Sequence, residues 1–148
     1  MSATYLAVNL HVIFSTKHRK PMLQGELLAR THAYIGGIIN KSGATAIEVG
    51  GVEDHVHLLI GMKSTQNIAA LVKEIKIVSG EWLRNEMKVS SFGWQDGYAA
   101  ISVSPERLEA VRKYIQRQEE HHRKMTSLDE LAELLAYSRI DYDPQYFE

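Results

Sequence analysis

Hydrophobic and polar positions alternate over residues 5 to 14, Tyr-Leu-Ala-Val-Asn-Leu-His-Val-Ile-Phe, and predict a strand. Leu6, Val8, Leu10, Val12 and Phe14 share one face; Asn9 and His11 share the other. After a basic turn ending at Pro21, residues 24 to 41 take a helical period that stops near Gly43. A second strand is predicted over 44 to 51, and Gly50-Gly51 leads through Glu53 into Asp54-His55-Val56-His57-Leu58-Leu59-Ile60, so the two strands pair as a hairpin. From about Asn67 to Met87 the period is helical again, with Ile68, Leu71, Val72, Ile75 and Trp82 as core positions and a bend expected at Ser79-Gly80.

The stretch from Ser91 to Gly97 is rich in turn residues, and Tyr98 to Val103 alternate as a strand. Ser104-Pro105-Glu106 predicts a helix start, with Ser as cap, Pro at the first helical position and an acid in the first turn. Ser127-Leu128-Asp129-Glu130 reads as a capping box for a last short helix carrying Leu128, Leu131, Leu134 and Leu135. Strand, helix, two strands, helix, strand, helix predicts one α+β domain over residues 1 to 148. The expected architecture is an antiparallel β-sheet with helices packed on one face, ferredoxin-like.

A chain of 148 residues, 45% of them hydrophobic, is large enough for a real core. It has no cysteine, which excludes a disulfide framework and a thiolate metal site. No apolar run is long enough to span a bilayer and no basic-then-apolar leader opens the chain, so a cytoplasmic protein with no membrane partner is expected. The net charge of −1 conceals an uneven distribution. Residues 1 to 124 hold 16 Lys or Arg against 12 acids; residues 125 to 148 hold one Arg against six acids. The basic body, with Lys17-His18-Arg19-Lys20 and Arg112-Lys113 near Arg117, suits phosphates.

His55 and His57 stand on one face of their strand while Val56, Leu58 and Ile60 face the other, so an aliphatic core anchors a rigid mount for two imidazoles. Two neutral imidazoles suit several divalent metals and need at least one further oxygen or nitrogen ligand, from Gln118 or a carboxylate. On the helix that follows Pro105, Tyr114 and Gln118 are four residues apart and share a flank. A tyrosine there is a potential nucleophile, although a boundary tyrosine more often only packs its ring and wets its hydroxyl. Lys73, Lys76 and Arg84 on the middle helix and Phe92 and Trp94 in the turn-rich segment are secondary candidates for DNA contact, weighed against core packing of the rings.

Four segments stand out together: His11-Val12-Ile13-Phe14-Ser15-Thr16-Lys17 with Arg19-Lys20-Pro21, Asp54-His55-Val56-His57-Leu58-Leu59, Trp94-Gln95-Asp96-Gly97-Tyr98, and Tyr114-Ile115-Gln116-Arg117-Gln118 with His121-His122. In this order and spacing they resemble the single-tyrosine HUH transposases of the insertion-sequence 200/605 type and their relatives associated with repeated extragenic palindromes. The resemblance implies a transposase that cleaves and rejoins single-stranded DNA at hairpin-bearing ends. It implies Tyr114 as the nucleophile, which would leave a 5′ phosphotyrosine and a free 3′ hydroxyl. It also implies His55, His57 and Gln118 as ligands of a divalent ion, Mg2+ or Mn2+. Lys17, Arg19, Lys20, Lys73, Lys76, Trp94 and Arg117 are the positions expected to contact DNA.

A homodimer is implied as well, with the tyrosine helix either kept by its own subunit or exchanged to complete the partner's site; the sequence leaves both open. Two other readings stand beside this one. One is a catalytically inactive or domesticated hairpin-binding protein of the same fold. The other is a replication or conjugation initiator, which commonly needs further domains than 148 residues hold.

Overall fold

The computed structural model describes residues 3–143. Strands β1 (Asn9–Ser15), β2 (Thr45–Val52), β3 (His55–Gly61) and β4 (Ala99–Val103) form one antiparallel sheet in the order β2-β3-β1-β4. The helices are α1 (Glu26–Ser42), α2 (Ile68–Asn85), α3 (Leu108–Gln116), α4 (Gln118–His121) and α5 (Ser127–Tyr137). Two interleaved β-α-β units with this strand order make the ferredoxin-like α+β sheet that the element order predicted.

One sheet face carries the main core. Leu10, Val12 and Phe14 of β1 and Val56, Leu58 and Ile60 of β3 are buried against Ile35 and Ile39 of α1 and Leu71, Val72, Ile75 and Leu83 of α2. Each such side chain contributes roughly 1.5–3 kcal/mol by leaving water, which holds β1 and β3 firmly from behind. Tyr34 of α1 stacks on Trp82 of α2 with ring centroids 4.2 Å apart. The opposite face carries His11, His55 and His57. A second, smaller core of Leu59, Val103 and Ile115 fixes α3 over it.

Four local expectations are corrected. Strand β1 begins at Asn9 rather than at residue 5, because β3 and β4 both end opposite Asn9, at Gly61 and Val103; Leu6 and Val8 are consequently exposed. Helix α2 runs unbroken through Ser79-Gly80, both buried, and Ser79 instead receives Trp94. Ser79 Oγ donates to the Ile75 carbonyl at 2.5 Å and accepts from Trp94 Nε1 at 3.0 Å. The helix start after Ser104 is a 3-10 turn over Pro105–Arg107 without a side-chain cap, and the tyrosine helix ends at Gln116. Arg117, at φ −102° and ψ 23°, then breaks the helical path before the single turn of α4. Finally, the cap of α5 is Thr126, whose Oγ1 accepts from Asp129 N–H at 3.2 Å, so Glu130 is not part of a capping box.

Candidate active site

The pleat of β1 and β3 puts three imidazoles side by side. His57 pairs across the ladder with Ile13, and His11 with Leu59, so His11 and His57 lie diagonally adjacent on one face. His11 Nε2 and His57 Nδ1 are 2.7 Å apart, and both rings are buried. His55, at the first position of β3, directs Nδ1 to Asp54 Oδ1 at 2.7 Å. That carboxylate holds a proton of His55 on Nδ1 and turns Nε2 toward the site. Asp54 is held in turn by the Ser127 hydroxyl, which donates to Oδ2 at 3.1 Å.

Gly50 brings the tyrosine to the histidines. It is the cross-strand partner of His57 on β2, and a Cβ there would stand 2.7 Å from both the carbonyl oxygen and Cγ2 of Ile115. Only a glycine lets α3 approach so closely. Tyr114, the residue before Ile115, thereby reaches within 5.9 Å of the His57 ring and 6.2 Å of the His11 ring, centroid to centroid. Next door, Gly51 takes φ +138°, and a Cβ would meet the His55 carbonyl at 2.3 Å, so that position also admits glycine alone.

The break at Arg117 turns Gln118 inward, where its side chain is buried and Oε1 lies 3.2 Å from His55 Nε2. All four principal residues expected from the sequence, His55, His57, Tyr114 and Gln118, therefore meet in one place within one chain. Four more were not assigned to it. His122 Nε2 is 3.1 Å from Gln118 Oε1, and His121 Nε2 is 3.5 Å from the Tyr114 hydroxyl. His11 and Glu130 complete the cluster.

Glu130 lies at its centre, on the first turns of α5, and is 2% exposed. Its Oε1 is 2.9 Å from His57 Nε2 and 3.1 Å from Nε2 of both His55 and His122. Its Oε2 accepts the Tyr114 hydroxyl, accepts Gln118 Nε2 at 3.0 Å and lies 3.3 Å from His121 Nε2. Burial alone would push this carboxyl up, but hydrogen bonds from His55 and His57 overcome that and hold it well below the usual carboxylate range.

The imidazoles divide. Burial pushes His57 down to about 4, Glu130 only partly opposing it. His11 goes to about 3, by burial and then by repulsion from His57. Burial also pulls on His55, yet its hydrogen bonds to Asp54 and Glu130 outweigh this and raise it to about 9. The Tyr114 hydroxyl is driven up from its ordinary value by burial and then by its bond to the Glu130 carboxylate, so at rest it keeps its proton.

Of the residues expected to touch DNA, Lys17, Lys20, Lys73 and Arg117 are exposed. Arg19 is half-buried on a left-handed turn (His18 φ 57°, Arg19 φ 53°) and reaches Ser127 Oγ with Nη1 at 3.5 Å. Its Nε and Nη2 are buried with no hydrogen-bond partner among the described residues. Arg19 lines a cavity of about 660 Å³ together with Ser15, His55, Gln95 and Glu130. Lys76 is tied to the loop before β4, donating to the carbonyls of Gln95 at 2.9 Å and Gly97 at 2.5 Å. The Trp94 ring packs edge-on against Phe14 and Phe92, with centroids 4.9 and 4.8 Å away. His18 is exposed. Among the described residues, no helix is long and apolar enough to cross a membrane.

Comparison with known proteins agrees with this fold. Residues 4–118 match the family described as "Transposase IS200 like". The ISDra2 transposase TnpA of Deinococcus radiodurans is 28% identical over 114 residues, covering 73% of this chain and 81% of that protein. A crystal structure of a Deinococcus radiodurans R1 protein assigned as a transposase superposes with a TM-score of 0.62 at 22% identity, covering 80% of this chain and 96% of that one. A REP-associated tyrosine transposase bound to a REP hairpin superposes with a TM-score of 0.61 at 11% identity, covering 82% and 73%; these two likenesses show the fold. The family match spans most of the chain and ends at Gln118, and the protein belongs to the IS200-like transposases.

Proposed function

We propose that this transposase cuts and rejoins single-stranded DNA at hairpin-bearing ends through a 5′ phosphotyrosine formed on Tyr114, with a divalent ion held by His55, His57 and Gln118. One observation carries the reading: within a single chain the Tyr114 hydroxyl is brought into the same buried cluster as His55, His57 and Gln118. The donors suit a cation. Asp54 fixes His55 through Nδ1, and Gln118 turns its oxygen toward His55 Nε2, so the ligand atoms converge. When bound, Mg2+ or Mn2+ would draw charge from a phosphate oxygen and so make phosphorus a better electrophile.

The chain's own residues do the rest. Tyr114 Oη forms the bond to phosphorus as the bond from phosphorus to the 3′ oxygen breaks, and the departing oxygen takes a proton to become the free 3′ hydroxyl. The hydroxyl proton of Tyr114 is directed at Glu130 Oε2, with His121 Nε2 as the next acceptor. Arg19, with Nε and Nη2 unpartnered beside the cavity, suits the DNA backbone there. Rejoining is the same step reversed by a 3′ hydroxyl, so no external energy source is required. In a homodimer each subunit would bring its own complete site to one end of the element.

The test is to incubate the protein with single-stranded oligonucleotides from the ends of its own locus, with and without Mg2+ or Mn2+, and resolve the products on a denaturing gel. A metal-dependent covalent species that disappears in Tyr114→Phe and in His57→Ala is expected. Selective hairpin binding with no covalent species under any metal would instead identify a hairpin-binding protein that has lost the reaction.

A further inference from the structure

Glu130 Oε1 is ringed by Nε2 of His55, His57 and His122 at 2.9–3.1 Å, three nitrogens around one carboxylate oxygen. Asp54 at Nδ1 fixes the His55 ring so that Nε2 faces the carboxylate, and the contact of His57 Nδ1 with His11 Nε2 does the same for His57. Imidazole nitrogens and a carboxylate oxygen that converge in this way form a donor set suited to a divalent ion. One ligand atom each from His55, His122 and Glu130 lie within 4.8 Å of one another, a spacing that a single ion can bridge.

Helix α5 is also bound to the outer shell of the same site. Ser127, three residues before Glu130, donates to Asp54, the residue that orients His55, and Arg19 reaches Ser127 in turn. Thr126 caps the helix and fixes where its first turns begin. Both the carboxylate and the support of the His55 ring thus come from one helix. That helix lies beyond Gln118, outside the segment matched by the family.

We propose that Glu130 is a direct ligand of the divalent ion, with His122 beside it, so that α5 supplies part of the metal centre. This rests on the reading of His55, His57 and Gln118 as the cation site. The competing arrangement is a carboxylate that merely occupies the cation's place and must leave before an ion binds. The two differ in sign: removing a ligand weakens binding, whereas removing a plug strengthens it.

The experiment is a Mn2+ titration of the full chain, followed by the electron paramagnetic resonance signal of the free ion, for the wild type, Glu130→Gln and His57→Ala. A Kd raised about tenfold or more in Glu130→Gln is expected, comparable with the loss in His57→Ala. Unchanged or tighter binding in Glu130→Gln, with binding lost in His57→Ala, would overturn the role of Glu130 and leave the histidine site standing. No Mn2+ binding by the wild type would overturn both. Amide hydrogen exchange of the wild type needs no substitution: slower exchange over residues 127–137 on adding Mn2+ is the expected result, and faster exchange there would mean that the ion expels α5 and the proposal is wrong.

Discussion

The rings of His57 and Tyr114 stand 5.9 Å apart because Gly50, paired with His57 across the sheet, lets Ile115 come down onto β2. A methyl at Gly50 would collide with Ile115 backbone that the second core holds in place. Gly50→Ala is expected to destabilise the protein by about 1–3 kcal/mol and to displace α3. Since a shift near 1 Å in a reacting group costs on the order of 10²-fold in rate, the single-turnover rate of adduct formation should fall by about that factor. Urea unfolding and rapid-quench kinetics on the same variant check the two halves of the prediction.

Asp54 acts through His55. Its carboxylate sets which nitrogen of that ring faces the site, and it is itself kept ionised, its hydrogen bond from His55 outweighing the effect of burial. Asp54→Ala should therefore weaken Mn2+ binding roughly 10–100-fold without touching the ion. Isothermal titration of the variant measures this; a Kd equal to that of the wild type would show that His55 needs no partner to face the site.

Stability should depend on pH with a definite sign. Burial lowers His32 on α1 to about 4, so the folded chain holds it neutral while the unfolded chain takes a proton near 6.5. Its contribution is intact above about 6.5 and is lost progressively as pH falls toward 4. His57, at about 4, and His11, at about 3, act in the same direction. His55, raised to about 9, contributes below 6.5 and loses that contribution as pH rises through 9. The urea midpoint of the metal-free protein should fall between pH 6.5 and 4, and His32→Gln should flatten that slope without affecting metal binding.

Much of the site was legible because it follows local periods. The two-residue repeat of β3 put His55 and His57 on one face; Gln118 was read on the helix of Tyr114, whereas the break at Arg117 brings it in from α4. Glu130 was not legible. Ser127-Leu128-Asp129-Glu130 has the pattern of a capping box, and nothing local distinguishes a carboxylate that caps its helix from one turned into a sheet; the cap moved to Thr126 and freed Glu130 for the histidines. The place of His121 and His122 over the site was not legible either, because the break at Arg117 that swings them there has no glycine or proline to mark it. Trp94 was weighed between base stacking and core packing, and its ring is engaged by Phe14, Phe92 and Ser79.

The central claim is that Tyr114 works with the histidines of its own chain, and a complementation experiment tests it most directly. Tyr114→Phe and His57→Ala chains of different lengths are unfolded together, refolded, and given end oligonucleotide with Mn2+. A site complete within each chain predicts no covalent adduct from the mixture, while wild type refolded alongside forms it normally. An adduct on the His57→Ala chain in the mixture would contradict the account, since its Tyr114 could then only have acted at the metal site of a partner.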